Sequence, residues 1–207
     1  ATNTMLQYNG AKTGLIATKG FRDALEMRRA HKENIWDLSL TPPPPIIPRY
    51  LRVGVTERIN YAGEVVTALD EDGVRQAVRE LKGQGVQAIA VCTLFSFINP
   101  THERRIREIL VEEVPGLKVS LSSDVLPEFK EYERMSTTVI NAYVMPIVEQ
   151  YLGRIEDSLK QLGVRSGLHI MQSNGGVMTA GTAAQQSVHT VLSGPAAGVL
   201  GGIVLCG

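Results

Sequence analysis

The stretch Val86–Phe97, VQAIAVCTLFSF, is the most informative part of the chain. An uninterrupted apolar run of this length is typical of a β-strand that is buried on both faces. A helix is predicted before it, with Asp70 as N-cap and an apolar stripe along one side. A second helix is predicted to begin at Asn99-Pro100, with proline at its first position, and Gly116–Ser123 follows as a short strand. This alternation predicts an α/β fold with a parallel or mixed sheet covered by helices.

The region upstream of Asp70 continues the same pattern. Lys12–Gly20 is predicted to form a strand, and Phe21–Ala30 a short helix. Pro42–Pro45 cannot be helix or central strand, so they are predicted to form an extended connector rather than a ligand for a proline-recognition domain. Arg49–Asn60 alternates like a half-buried strand, and Glu64–Leu69 is predicted to pair with it as a hairpin.

The region downstream begins with the longest helical pattern, Glu128–Gly163. Pro146 lies inside it, which predicts a kink or break near Tyr143. A strand at Leu168–Gln172 follows. A short helix, a strand or extended piece at Val188–Leu192 and a final helix beginning near Pro195 complete the predicted elements.

Composition excludes several classes of function. Lys+Arg and Asp+Glu each total 21 in 207 residues, so the net charge is zero and no basic face for nucleic acid is predicted. No apolar stretch is long enough to span a bilayer and no signal peptide opens the chain, so we expect a soluble, cytoplasmic protein without a membrane partner. Cys92 and Cys206 lie in apolar runs and are predicted to be buried. The four histidines and two cysteines show no metal-ligand spacing, so no metal site is predicted within the chain.

Two glycine-bearing loops are the best candidates for ligand contact. Ser173-Asn174-Gly175-Gly176 follows a predicted strand, and Ser193-Gly194 opens the last predicted helix. Glycine allows a backbone to approach a ligand closely, and a helix N-terminus can hold an anion. Neither loop has the spacing of a common phosphate loop, so spacing alone favours ordinary turns. The small residues of Gly194–Gly202 also fit a closely packed hinge helix that needs no ligand.

The sequence resembles the hydantoinase A/oxoprolinase family over nearly its whole length. Five blocks in the same order carry this resemblance: ATNTMLQYNGAKTGLIATKGFRDALEMRR, PRYLRVGVTERINYAGEVVTALDE, EYERMSTTVINAYVMPIVEQYL, MQSNGGVMTA and LSGPAAGVLGG. The resemblance implies part of an actin-like ATPase fold, of the sugar-kinase and heat-shock type, with mixed sheets flanked by helices.

The resemblance also implies an activity. ATP, with Mg²⁺, phosphorylates the amide or enolate oxygen of a substrate, and the activated species is hydrolysed or carboxylated. A small cyclic amide of the hydantoin or 5-oxoproline type is the expected substrate, and a hydantoinase B-type subunit or domain is the expected partner. Two alternatives are a ketone substrate, in an acetone- or acetophenone-type carboxylase, and a non-catalytic nucleotide-binding regulator of the same fold.

Site residues are carried over from matching positions only. Nucleotide contact is implied for Thr2 and Asn3, for Ser173, Asn174, Gly175 and Gly176, and for Ser193 and Gly194. Substrate contact is implied for Arg134, Ser136 and Thr137, whereas the residues alone favour a solvated helix start there. Catalytic residues are not identified.

The two ends of the sequence suggest a piece of a longer protein. It starts without Met and stops inside an apolar run. The family's two Asp-Gly-Gly-Thr phosphate loops would lie just before Ala1 and just after Gly207. We predict a division at residues 1–125, the remainder of an N-terminal domain, and 126–207, the start of the hydantoinase A core domain.

The 207-residue chain alone is expected not to hydrolyse ATP, because both phosphate loops of the resembled family are missing from it. Release of ADP by the purified chain can be measured in a coupled assay. ATPase activity that stays with the chain through two orthogonal purification steps would contradict this expectation.

Overall fold

The chain combines helices with short strands. The computed structural model describes residues 1–29, 36, 37, 39, 43–164 and 166–206. The strands are β1 (Thr13–Thr18), β2 (Arg52–Val55), β3 (Arg58–Ile59), β4 (Val65–Thr67), β5 (Ala88–Cys92), β6 (Lys118–Leu121), β7 (His169–Met171) and β8 (Val177–Thr179). The α-helices are α1 (Thr2–Leu6), α2 (Ala24–Met27), α3 (Glu71–Gly83), α4 (Thr101–Glu113), α5 (Ser122–Val125), α6 (Glu131–Gln161), α7 (Ala180–Gln185) and α8 (Ser193–Cys206). Short 3-10 helices cover Arg49–Leu51 and Ser187–Thr190.

The central sheet is parallel, with the strand order β2-β1-β5-β6. Every residue of β1 and β5 is buried, as expected for central strands with both faces covered. The chain passes from β1 to β2 on one side of β1 and returns to β5 on its other side. A topological switch point therefore lies between the carboxyl ends of β1 and β5, which is where open α/β sheets bind ligands.

Helices α3 and α4 pack beside each other along this sheet. Asp70 caps α3 as predicted, because its Oδ1 accepts the Gly73 N–H at 3.0 Å. The predicted apolar stripe of α3 is buried. The start of α4 lies one position later than predicted, with Pro100 at the N-cap. Arg105 of α4 donates to Glu71 at 2.7–2.8 Å, and these hydrogen bonds hold the pKa of Glu71 below its usual range.

The predicted hairpin of Arg49–Asn60 with Glu64–Leu69 is only half right. Its second half forms, since β3 pairs antiparallel with β4. The first half, Arg52–Val55, instead lies parallel to β1, with Leu15 opposite Arg52. The edge of β1 offers a longer ladder than a hairpin arm does, and both ends of β2 are buried there.

Chain contacts divide the protein into two compact units. The sheet unit is residues 12–140, and the terminal unit is residues 1–11 with 141–207. The boundary falls inside α6, which differs in position from the predicted domain division at residue 125, and that division stays a prediction.

In the terminal unit, α6 packs against the N-terminal segment. The Ala11 N–H donates to the Tyr143 carbonyl at 3.0 Å. Gly10 lies so close to the Tyr143 ring that a Cβ on it would come within 2.2–2.4 Å of ring carbons. Helix α6 is continuous through Pro146, so the predicted break is absent. Burial of neighbouring residues such as Val144 outweighs the one hydrogen bond that proline removes.

The last part of the terminal unit is largely as predicted. The hairpin β7–β8, helix α7 and helix α8 form where a strand, a short helix and a final helix are expected. The predicted strand or extended piece at Val188–Leu192 is not a strand: Ser187–Thr190 is a 3-10 helix, and the extended backbone is seen at Val191. No helix in the described residues is long and apolar enough to cross a membrane.

Two predictions fall partly outside the described residues. Pro42 lies outside them, whereas Pro43–Pro45 are neither helix nor strand, as predicted. The Cys206 side chain also lies outside them, while Cys92 is buried as predicted.

A matched pair of valines tests the packing of α3 against the sheet. Val78 of α3 is 1% exposed and Val111 of α4 is 52% exposed. Val78→Ala is expected to lower the free energy of unfolding by about 2 kcal/mol, through lost burial and a cavity. Val111→Ala is expected to change it by less than about 0.5 kcal/mol. Alanine raises helix propensity equally at both positions, so the difference in urea unfolding isolates burial. Equal effects would contradict the packing.

Candidate functional site

Ser173–Gly176 forms the tight turn between β7 and β8. Asn174 closes it, because its Oδ1 accepts the Gly176 N–H at 2.8 Å. Gly175 has a left-handed φ of +86°, and a Cβ there would lie 2.9 Å from Leu200 of α8. The turn is therefore rigid, and Ser173 and Asn174 are exposed on its surface.

The N-terminal helix meets the start of α8. The Leu192 N–H donates to the Thr2 Oγ1 at 2.9 Å. Leu192 itself has a left-handed φ of +60°, which costs a non-glycine residue about 1 kcal/mol. Ser193 and Gly194 follow directly as the first residues of α8, and a Cβ on Gly194 would meet nothing within 4 Å. Asn3 is exposed beside Thr2.

These three segments all belong to the terminal unit and are joined by direct contacts. Besides the Thr2 contact, the Ser173 N–H donates to the His189 carbonyl at 2.7 Å, and Gly175 faces Leu200. The segments offer small side chains and open space at Gly194, which suits the phosphates of a nucleotide. Within the described residues, no group of three or more His, Cys, Asp or Glu side chains is placed to hold a metal ion. Nucleotide binding by the three segments stays a prediction.

Arg134, a predicted substrate residue, lies inside the sheet unit and is 2% exposed. Its guanidinium donates to the Thr93 carbonyl at 2.7 Å and to the Ser96 Oγ at 2.6 Å. Its Cζ also lies 5.2 Å from the centre of the Phe97 ring. Arg134 therefore holds the loop that follows β5.

The other two predicted substrate residues are half-buried on α6. The Ser136 hydroxyl donates to the Glu133 carbonyl at 3.1 Å, within its own helix. Thr137 lies beside it and is also half-buried. Substrate contact by Arg134, Ser136 and Thr137 stays a prediction.

A cluster of buried polar side chains surrounds Arg134 at the switch point. We call it the strand-end cluster, because Thr18 ends β1, Thr93 follows β5 and Ser122 follows β6. Each member is at most 5% exposed. The members are Thr18, Glu57, Thr93, Ser96, His102, Glu103, Ser122 and Arg134.

Glu103 joins the ends of two strands. Its Oε1 accepts the Thr93 N–H at 2.9 Å and the Ser122 hydroxyl at 2.5 Å, and its Oε2 accepts the Ser123 N–H at 2.9 Å. The Ser122 Oγ lies 3.0 Å from the Ser96 Oγ, which in turn accepts from Arg134. Two serine hydroxyls thus link this buried carboxylate to a buried guanidinium.

Glu57 makes the second half of the cluster. One carboxylate oxygen accepts the Thr18 hydroxyl, and the other lies 2.7 Å from the His102 Nδ1. The Thr18 Oγ1 also accepts the Leu94 N–H at 2.9 Å. Glu57 therefore ties the segment after β2 to the end of β1 and the start of α4.

The cluster and the adjacent Ser123 leave three buried side-chain atoms without a hydrogen-bond partner. They are the Thr93 Oγ1, the Ser123 Oγ and the Arg134 Nε. Arg134 still has two of its three guanidinium nitrogens paired.

Burial raises the pKa of the neighbouring Cys92 thiol to about 12. Cys92 thus packs as a small buried side chain beside the cluster.

Sequence reasoning missed this cluster except for Arg134. A partial signal was present: Thr18 and Ser122 stand near the ends of predicted strands, whereas Thr93 lies inside the predicted strand Val86–Phe97 and follows a strand only in the structure. The carboxyl ends of parallel strands meet at one edge, so polar residues there come close together. Glu57 carried no such signal, because it lies in a strand predicted as a hairpin arm.

Comparison with known proteins gives the family. The model of the hydantoinase/oxoprolinase N-terminal region matches residues 1–114, and the hydantoinase/oxoprolinase model matches residues 134–205. The chain belongs to the hydantoinase/oxoprolinase family. The resemblance inferred from the five sequence blocks is thereby confirmed.

Its relatives in this family are several times longer. Caprolactamase subunit alpha from Pseudomonas jessenii is 35% identical over 98% of the chain and 30% of its own length. The acetone carboxylase beta subunit from Xanthobacter autotrophicus is 34% identical over 96% of the chain and 29% of its own length. The 5-oxoprolinase of Saccharomyces cerevisiae is 31% identical over 97% of the chain and 17% of its own length. The chain thus spans less than a third of each relative.

Solved structures of the family share the fold. One is a nucleotide-free acetone carboxylase structure from work on ATP-dependent acetone carboxylation. The match covers 99% of the present chain and 31% of the carboxylase chain, with 33% identity and a TM-score of 0.86. The other is the ATP-dependent caprolactamase from Pseudomonas jessenii. That match covers 94% of the present chain and 28% of the caprolactamase chain, with 34% identity and a TM-score of 0.87. The predicted fold class, an α/β part of the actin-like ATPase fold, is confirmed.

Replacing Arg134 tests whether it is a structural member of the strand-end cluster. Arg134→Met leaves the Thr93 carbonyl and the Glu103 carboxylate without their buried cation, so we expect the free energy of unfolding to fall by about 3 kcal/mol. The exposed Arg104 gives a control, because Arg104→Met should change it by less than about 0.5 kcal/mol. Urea unfolding of the purified protein measures both. Unchanged stability together with weaker substrate affinity in the full-length enzyme would instead favour direct substrate contact.

Proposed function

We propose that the full-length protein is an ATP-dependent hydrolase of cyclic amides of the hydantoin or 5-oxoproline type. Family membership supports this, together with similarity to caprolactamase subunit alpha and 5-oxoprolinase, which are named for amide substrates. Both solved relatives are described as ATP-dependent.

The terminal unit would contact the nucleotide. The observation that carries this is the Thr2–Leu192 hydrogen bond of 2.9 Å, which brings Thr2 beside Ser193 and Gly194. The Ser173–Gly176 turn faces α8 through the Gly175–Leu200 contact. Asn3, the turn and the start of α8 would bind ATP phosphates through side-chain polar groups and backbone N–H groups, with Thr2 beside them. Mg²⁺ would neutralise phosphate charge and would be bound largely by the phosphates themselves.

The chemistry would proceed by activation of the amide. Transfer of the γ-phosphoryl group to the amide oxygen, with ADP leaving, makes the carbonyl carbon more electrophilic. Water would then add to this carbon, inorganic phosphate would leave, and the C–N bond would break to open the ring. Arg134, Ser136 and Thr137, all near the start of α6, would contact the substrate.

A second candidate function is an acetone- or acetophenone-type carboxylase. Similarity to the acetone carboxylase beta subunit, at an identity one point below that of caprolactamase, favours it. In that case the same phosphoryl transfer would activate a ketone through its enolate oxygen. Because both relatives are named as subunits, we propose a hydantoinase B-type partner for either activity.

The test is an assay of the full-length protein with its partner subunit. We expect ADP release that depends on a lactam, a hydantoin or 5-oxoproline, and that is unchanged when bicarbonate is removed. ADP release that needs both a ketone and bicarbonate would favour the carboxylase. Nucleotide binding without turnover of either substrate class would overturn both the hydrolase and the carboxylase proposals. It would favour a non-catalytic nucleotide-binding regulator.

A further inference from the structure

Asn141 of α6 is fully buried and uses both ends of its side-chain amide on one distant segment. Its Nδ2 donates to the Gln185 carbonyl at 2.9 Å, and its Oδ1 accepts the Val188 N–H at 2.9 Å. A buried amide satisfied in this way fixes the backbone that it contacts, because any shift leaves buried polar groups unpaired. Asn141 thus fixes the segment that leads to α8.

Thr2 holds the other end of the same segment. Its Oγ1 accepts the N–H of Leu192, four residues after Val188. The left-handed φ of Leu192 is unfavourable for leucine, so the backbone there needs contacts from outside to keep it. Asn141 and Thr2 therefore fix the chain on its way to Ser193.

The N-terminal segment that begins with Thr2 is joined to the same part of α6 at its far end, residues 10 and 11. The Tyr143 carbonyl accepts the Ala11 N–H at 3.0 Å, and its ring packs against Gly10. Asn141 and Tyr143 are two residues apart, so a single stretch of α6 anchors the N-terminal segment and the segment before α8.

We infer that Asn141 and Thr2 are positioning residues for ATP: together they set the backbone of residues 185–194 in the conformation that receives the nucleotide. This inference rests on the proposed nucleotide site. In it the Thr2 hydroxyl acts by accepting the Leu192 N–H, and Asn141 acts through Gln185 and Val188 without touching the nucleotide.

Direct measurement of ATP binding to the full-length protein tests the inference. Thr2→Val removes the acceptor with almost no change in shape, and Thr2→Ser restores it. We expect Thr2→Val to raise the Kd of ATP about tenfold, equivalent to about 1.4 kcal/mol, and Thr2→Ser to recover most of the affinity. Asn141→Ala should raise the Kd by about tenfold or more and also lower the melting temperature. The KM of the organic substrate should not change in either variant.

Thr138 provides the matched control. It is fully buried on α6, and its hydroxyl donates to the Arg134 carbonyl at 2.7 Å, within its own helix. Thr138→Val should therefore lower the melting temperature and leave the Kd of ATP unchanged. Unchanged ATP affinity in Thr2→Val would overturn the inference, whatever Asn141→Ala does. A wild-type protein that binds no ATP would overturn the proposed function instead, which keeps the two failures apart.

Discussion

A carboxylate buried without compensation destabilises a fold by several kcal/mol, and the sheet unit buries two of them. Glu57 and Glu103 are each at most 4% exposed. Their hydrogen-bond donors come from the ends of β1, β5 and β6 and from the start of α4, so the strands must end where those donors are needed. The requirement to satisfy two buried charges therefore sets the shape of the carboxyl edge of the sheet.

This requirement explains why β5 is shorter than its apolar sequence. The run VQAIAVCTLFSF continues to Phe97, yet the strand stops at Cys92. The next N–H, that of Thr93, donates to Glu103 and not to a neighbouring strand. The chain then turns through Phe95, which has a left-handed φ of +55°, while Arg134 holds the Thr93 carbonyl. Charged side chains of two later helices, Glu103 of α4 and Arg134 of α6, thus take the backbone hydrogen bonds of Thr93, and β5 ends before it although the apolar sequence continues.

Sequence reasoning was most reliable where local patterns and tertiary structure agree. The buried strand β5, the cap at Asp70 and the helices α3 and α4 all follow from apolar spacing and capping chemistry. It failed where the decisive partner is remote. Arg52–Val55 joins β1 because a free sheet edge lies there, and Ser187–Thr190 forms a 3-10 helix that Asn141, more than forty residues earlier, holds in place. No local pattern in either segment carries that information.

The Ser173–Gly176 turn shows how the two readings of a glycine loop can both hold. The turn is an ordinary one by its hydrogen bonds, since Asn174 closes it through its own side chain. That same bond makes it rigid and keeps Ser173 and Asn174 exposed, and a ligand loop needs a preorganised backbone in order to bind at low entropic cost. A well-satisfied turn is therefore no argument against ligand contact. Neighbouring segments are held against the turn at His189 and Leu200, and its contact with a nucleotide stays a prediction.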